Sequence, residues 1–346
     1  MNAIARVVSV IGLVGVLAGA GVGVAHATSL SSPAGDAEAA QAASIPTVPG
    51  GPNQAVGDVL GLGYEQVVRF TSDGSGVEIA DPAPRGGATL GSFELTHWAV
   101  GYAPSRIAVL GATIYVATSK RPANSPIENR ITAYSAAGLP GNTREFLDAE
   151  RVITSLDAVN WNDTAYLALG FQTGGTLVVQ DTPGLPDFQR LGAHWQAPVV
   201  ATKFGTDGAR RLLLAASVSL APGLPAVIAH DVRSRTEIWS TRGNASEDPA
   251  DLLSFGELGA QGTPQFAIGD STHGHVTFHD ADSGRERVSL QTGPASVVRF
   301  YENPAGDRRV AIRAERGLIG AIDAQFAWTT VAEGPAADLA WLMQGS

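Results

Sequence analysis

The sequence has no cysteine, and only two of its 23 basic residues are lysines, Lys120 and Lys203. Without thiols there is no disulfide framework, no thiolate metal site and no lipid-modified N-terminal Cys. Charge is scarce as well: charged residues make up 16% of the chain, low for a globular protein. The net charge of −10 argues against nucleic acid, because phosphate binding needs a basic surface. Two catalytic signatures are missing. No Gly-x-Ser-x-Gly elbow and no His-Glu-x-x-His stand anywhere in the sequence, so neither a serine-hydrolase turn nor a zinc-protease helix is written here. The arginine-over-lysine skew is of the kind a GC-rich bacterial genome imposes.

Glycine (41) and proline (20) are plentiful instead, a composition suited to many turns and few long helices. Residues 1–27 have the form of an export signal. Arg6 is the only charge before Asp36, Val7 to Val24 is apolar with five glycines, and Ala25-His26-Ala27 fits the small-x-small cleavage pattern. Cleavage after Ala27 predicts a secreted protein with no membrane span. Residues 28–55 are Ala, Ser, Pro and Gly with little that could bury a face, as in a flexible tether.

From residue 56 to 346 one order recurs six times: an alternating or apolar strand, a fully apolar strand, a strand that usually ends in Asp, and an amphipathic strand. The fully apolar strands are Tyr64–Phe70, Thr113–Thr118, Ala165–Phe171, Leu212–Ala216, Phe266–Ile268 and Arg309–Ile312. The strands that follow end at Asp81, Ser135, Asp181, Asp231, Asp280 and Asp323, between 43 and 54 residues apart. Four strands per period of 40 to 50 residues is the pattern of a propeller blade. A two-sheet sandwich accounts for no such period. The reading is an all-β, six-bladed propeller; seven blades would require two weak units merged between Asp81 and Ser135. The first unit starts at its second strand near Tyr64, while Ala337–Met343 has the form of a surplus first strand. The expectation is that this C-terminal strand completes the first blade.

Segments such as Val276-Thr-Phe-His-Asp280 with Ser283-Gly284, and Val227-Ile-Ala-His-Asp231 with Ser234, resemble the Val-x-Val-Trp-Asp strand and following turn of WD40-type repeats. The Trp position is held here by Ala80, Tyr134, Gln180, His230, His279 and Ile322, so the resemblance is to a divergent WD40-like propeller. It implies a rigid platform for partners, since that family is mostly non-catalytic. Gly57-Asp-Val-Leu-Gly-Leu-Gly63 and Asn303-Pro-Ala-Gly-Asp307 resemble the loops of integrin-type FG-GAP propellers, which bind calcium. No loop here carries more than two carboxylates in such a window, and hard Ca²⁺ needs several oxygens. No cofactor and no metal are expected.

Three constellations remain. His273, His275 and His279 share a strand face, but 273 to 279 spans about 20 Å of extended chain, too far for one ion. Gly269-Asp270-Ser271 matches the start of GDSL-type esterases inside what reads as a blade turn, without the other blocks of that family. The repeated pair is more telling: Thr96-His97-Trp98-Ala99 and Ala193-His194-Trp195-Gln196 both precede an Ala-Pro and the next first strand. With Tyr102 and the long loops around Arg121 and Leu220 they are expected on one rim. They form a candidate surface for a protein or cell-envelope ligand, on a monomer. The competing reading makes each Trp a wedge between blades. A different function, a secreted hydrolase or lyase at the central channel, would use the charged residues of the first strands: Arg106, Asp157, Lys203, Asp251, Arg299 and Asp338.

Overall fold

The computed structural model describes residues 54–332 apart from the connections 82–86, 96–101, 121–126, 149–151, 182–187, 192–197, 208–210, 219–224, 243–251, 259–261, 271–274, 293–294, 303–307, 315–318 and 324. These residues form 24 strands in six four-stranded antiparallel sheets, each built from four consecutive strands. Sheet one holds β1 (Gln54–Gly57), β2 (Gln66–Phe70), β3 (Gly76–Ala80) and β4 (Thr89–Glu94). Sheet two holds β5 (Tyr102–Leu110), β6 (Thr113–Lys120), β7 (Ile127–Ser135) and β8 (Pro140–Asp148). Sheet three holds β9 (Ile153–Trp161), β10 (Thr164–Phe171), β11 (Thr176–Gln180) and β12 (Phe188–Leu191). Sheet four holds β13 (Val199–Thr206), β14 (Leu212–Val218), β15 (Pro225–Asp231) and β16 (Glu237–Arg242). Sheet five holds β17 (Leu252–Leu258), β18 (Thr263–Asp270), β19 (His275–Asp280) and β20 (Glu286–Gln291). Sheet six holds β21 (Ala295–Glu302), β22 (Arg308–Ala314), β23 (Ile319–Ile322) and β24 (Trp328–Ala332).

All six apolar strands expected from the sequence fall in the second position of a sheet. Their burial explains their composition. Every residue of β14 is buried, whereas β4 and β20 are exposed along most of their length. A middle strand covered on both faces has no use for a polar alternate, and an outer strand with one wet face does. The first strands of successive sheets touch one another from β1 through β5, β9, β13 and β17 to β21, so each sheet meets the next along its inner edge.

One expectation is overturned. The first-strand position of sheet one is held by β1, which pairs antiparallel with β2 through Gln54↔Arg69 to Gly57↔Gln66. The first strand therefore begins at Gln54, two residues before the start expected at 56. The C-terminal strand expected at that edge finds it already taken, and residues 337–343 lie outside the described residues. The physical reason is that four short residues, Gln-Ala-Val-Gly, suffice for a strand when Ala55 and Val56 are buried beneath it. Gly57 is at its end because a Cβ there would come within 2.5 Å of Val109 in β5.

The Asp that ends the third strand has a structural task. Asp231 Oδ1 accepts from the backbone N–H groups of Arg233 and Ser234, and Asp323 Oδ1 from those of Gln325 and Ala327. The turn then passes through the left-handed region at Gly138, Arg235, Gly284 and Phe326, with φ between 59° and 74°. Such a turn favours Asp at its start and Gly at its end, which is the repeat signature read from the sequence.

Candidate functional site

The rim residues singled out in the sequence are mostly beyond description. His97, Trp98, Arg121, His194, Trp195 and Leu220 all fall in the undescribed connections. Tyr102 is the first residue of β5, with its backbone opposite Lys120. In sheet two, Tyr102, Lys120 and Glu128 lie across from one another at one end of the sheet. The connections 96–101 and 121–126 therefore leave sheet two at the same end.

The inner strands concentrate buried charge. Asp157, Lys203 and Arg299 stand on β9, β13 and β21, each directly opposite an alanine of the second strand: Ala168, Ala215 and Ala311. Ser254 occupies the matching place on β17, opposite Ala267. Small partners leave room for long side chains to lie across the joints between sheets. Lys203 Nζ donates to Asp157 Oδ1 at 2.9 Å, and the Phe204 backbone N–H donates to Asp157 Oδ2 at 2.7 Å. Both carboxylate oxygens are thus engaged by sheet four. Arg299 forms an ion pair with Glu65, 234 positions earlier, tying sheet six to the β1–β2 connection of sheet one. Asp251 and Asp338, the other acids expected here, lie outside the described residues.

Arg106 differs from these. Its Nε donates to the Thr154 carbonyl of sheet three and one terminal nitrogen to its own Ser105 carbonyl. Thr154 in turn donates to the Val199 carbonyl of sheet four. Burial draws the Arg106 guanidinium down to about 9, since its charged form loses hydration. One of its nitrogens, Nη2, is buried without a hydrogen-bond partner.

Farther out, aromatic side chains cross between sheets. Trp239 of β16 stacks on His279 of β19, with centroids 6.2 Å apart and planes 14° apart, and donates to the Ala281 carbonyl at 2.9 Å. A Cβ on Gly284 would meet this Trp at 2.5 Å. Phe93 of β4 likewise packs over sheet two, tilted against Tyr134 with centroids 5.3 Å apart and close enough that a Cβ on Gly138 would meet it at 2.4 Å. At Tyr134 and His279, the position that WD40-type repeats fill with Trp is the floor on which the preceding sheet's outer aromatic rests. One other aspartate ties neighbours together. Asp181 accepts from the Tyr115 hydroxyl and from Asn142 of sheet two. Burial, reinforced by that hydrogen bond, pushes the Tyr115 hydroxyl upward from its usual value.

The histidines do not converge. His275 Nε2 faces Ser289 Oγ, while His279 places Nδ1 at the Gly284 carbonyl and Nε2 at Thr277 Oγ1; His273 lies outside the described residues. Asp270 of the Gly-Asp-Ser tripeptide ends β18, and Ser271 is undescribed. Sequence reasoning missed Glu65, Thr154 and the Trp239 wedge. The signal for the wedge was available, as an aromatic on an outer strand one repeat before a Ser-Gly turn.

No family model matches the sequence, and no curated protein matches it. Solved structures resemble it in fold. BBS1N, crystallised in complex with ARL6DN and soaked with mercury, superposes with a TM-score of 0.57 at 13% identity, covering 82% of this chain and 81% of that one. A chain of the Mitotic Checkpoint Complex gives 0.52 at 13% identity, over 80% and 78%. The likeness is one of fold alone: an all-β, propeller-like stack of four-stranded antiparallel sheets.

Proposed function

We propose that this chain is an exported six-bladed β-propeller, closed into a monomeric ring, that serves as a non-catalytic binding module for a protein or cell-envelope ligand. The observation that carries this reading is how the inner charges are used. Asp157 has both oxygens bonded and Glu65 is held by Arg299. Acid–base catalysis in a channel needs two carboxylates facing a substrate, whereas these two hold sheets together. That places the hydrolase or lyase alternative second. The Glu65–Arg299 pair supports closure between sheets six and one, and residues 1–27 support export. The likeness to BBS1N, which was crystallised with ARL6DN, and to a chain of a checkpoint complex supports a role in assembly.

The surface proposed for the ligand is the rim formed by His97, Trp98, Tyr102, Arg121, His194, Trp195 and Leu220. It is rich in aromatics and poor in charge, like the middle of an interface. The test compares Trp98→Ala and Trp195→Ala by melting and by pull-down from envelope and culture fractions. An anchoring Trp loses about 2 kcal/mol or more of binding when cut to Ala, with the fold intact. Lowered melting in both variants would make them wedges like Trp239 and overturn the site.

A further inference from the structure

Among the described inner-strand cations, Arg106 is the one with no carboxylate. Lys203 is matched by Asp157 and Arg299 by Glu65; the described partners of Arg106 are the carbonyls of Thr154 and Ser105. Carbonyl oxygens accept its hydrogen bonds and leave its charge uncompensated. The side chain is almost wholly buried, at 1% exposure, and Nη2 has no partner. An unpaired buried donor is costly, and more so when charged. The guanidinium is also held in a particular place. Ser105 and Thr154 sit at the irregularities where β5 and β9 slip register against their second strands. Their carbonyls belong to the innermost strands of two neighbouring sheets, so the planar fork lies between the inner edges of sheets two and three. Arg106 is the middle residue of β5, four positions from the end that adjoins the connections 96–101 and 121–126. Neither of those connections contains an acid, nor does 192–197 at the exit of sheet three.

We propose that Arg106 receives a carboxylate from outside the chain, at the inner edge between sheets two and three. The guanidinium is charged at neutral pH and suits the geometry of a carboxylate, which would supply both the missing acceptor and the missing charge. The carboxylate belongs either to a small free acid or to the C-terminus of a bound peptide. Only the second source rests on the binding-module reading. The chain's own competitor is Glu150, four residues before Thr154 and outside the described residues.

The experiment titrates the full mature chain with formate at constant ionic strength, with chloride as control, following Tm and the line width of ¹³C-formate. A second arm compares N-acetyl-diglycine with its amide. The expected result is a saturable, formate-specific rise in Tm, by about 2–4 °C once formate exceeds its dissociation constant tenfold. Arg106→Gln should abolish the rise and Arg106→Lys should weaken it. A response to the peptide acid but not its amide assigns a terminal carboxylate; a response to formate alone assigns a small free acid. The same response in Arg106→Gln as in the parent, or none in the parent, overturns the proposal. So does a response that emerges only in Glu150→Gln, because the chain then supplies the carboxylate itself. If both Arg106 variants fail to fold, the parent titration decides. Loss of the pull-down in Trp98→Ala or Trp195→Ala with the formate response intact would separate the two sites.

Discussion

Neighbouring sheets are joined in two different ways. Between sheets four, five and six the inner joints are apolar: Gly205 lies against Phe255 and Phe266, and Gly256 against Phe300, so close that a Cβ would come within 2.5 Å of a ring atom. Between sheets two, three and four the inner strands instead carry Arg106 and the Asp157–Lys203 pair, and the Arg299–Glu65 pair links sheet six to the β1–β2 connection in the same way. The apolar joints gain from area removed from water, about 1.5–3 kcal/mol per fully buried large side chain. The polar joints gain little net energy, because desolvation offsets attraction. They do demand that every partner be present. One repeat thus builds robust joints and conditional ones.

That contrast can be broken at its largest effect first. Asp157→Ala leaves Lys203 buried without its partner and should cost about 3–5 kcal/mol in urea unfolding, whereas Asp157→Leu with Lys203→Met should recover most of that loss. A double variant as unstable as the single one would show that the pair is more than cement. At an apolar joint, Gly256→Ala should cost about 1–3 kcal/mol through overpacking against Phe300. An unchanged midpoint would mean that the sheets can slide apart cheaply.

The smaller effects sharpen the comparison within the repeat. Arg235 holds φ at 62° where Gly138 and Gly284 stand in other sheets. Arg235→Gly should stabilise by about 0.5–1 kcal/mol, the relief of a left-handed side chain less the freedom gained by the unfolded chain; a loss of stability would assign its side chain a contact. His230 and His279 occupy equivalent places. Burial draws the His230 imidazole below its usual value, Glu237 opposing. A folded-state value below the unfolded one means that the unfolded chain binds more protons as pH falls through about 6.5. The His230 contribution is therefore complete above that pH and lost below it. Melting should decline from pH 7.5 to 5.5, and His230→Gln should flatten part of that slope. An identical slope in the variant would exclude this residue as its source.

The sheets were legible because their second strands are apolar throughout and their third strands end in turn-forming Asp; Leu212–Ala216 and Asp280–Gly284 show both marks without any partner in view. β1 was not, since Gln-Ala-Val-Gly sits in an Ala- and Gly-rich stretch and becomes a strand only by lying on β2 and β5. Of the inner charges, Asp157, Lys203 and Arg299 could be placed on first strands, but not their pairing. Glu65 was hidden because its partner is 234 residues away, and no local pattern reports such a distance. The rim residues were chosen on a repeated His-Trp, and that choice rests on the sequence alone.

Each sheet uses four strands that follow one another along the chain, and among the described residues none borrows a strand from the far end. During synthesis, then, every sheet can finish its own ladder as soon as its fourth strand has emerged, and can dock on the sheet made just before it. Contacts of this kind are short in sequence, which favours quick, vectorial folding. The contact between Glu65 and Arg299 is the exception. It must wait until most of the chain exists, which makes that ion pair the last of these contacts to form and, as a lone link between distant parts of the chain, the first expected to break.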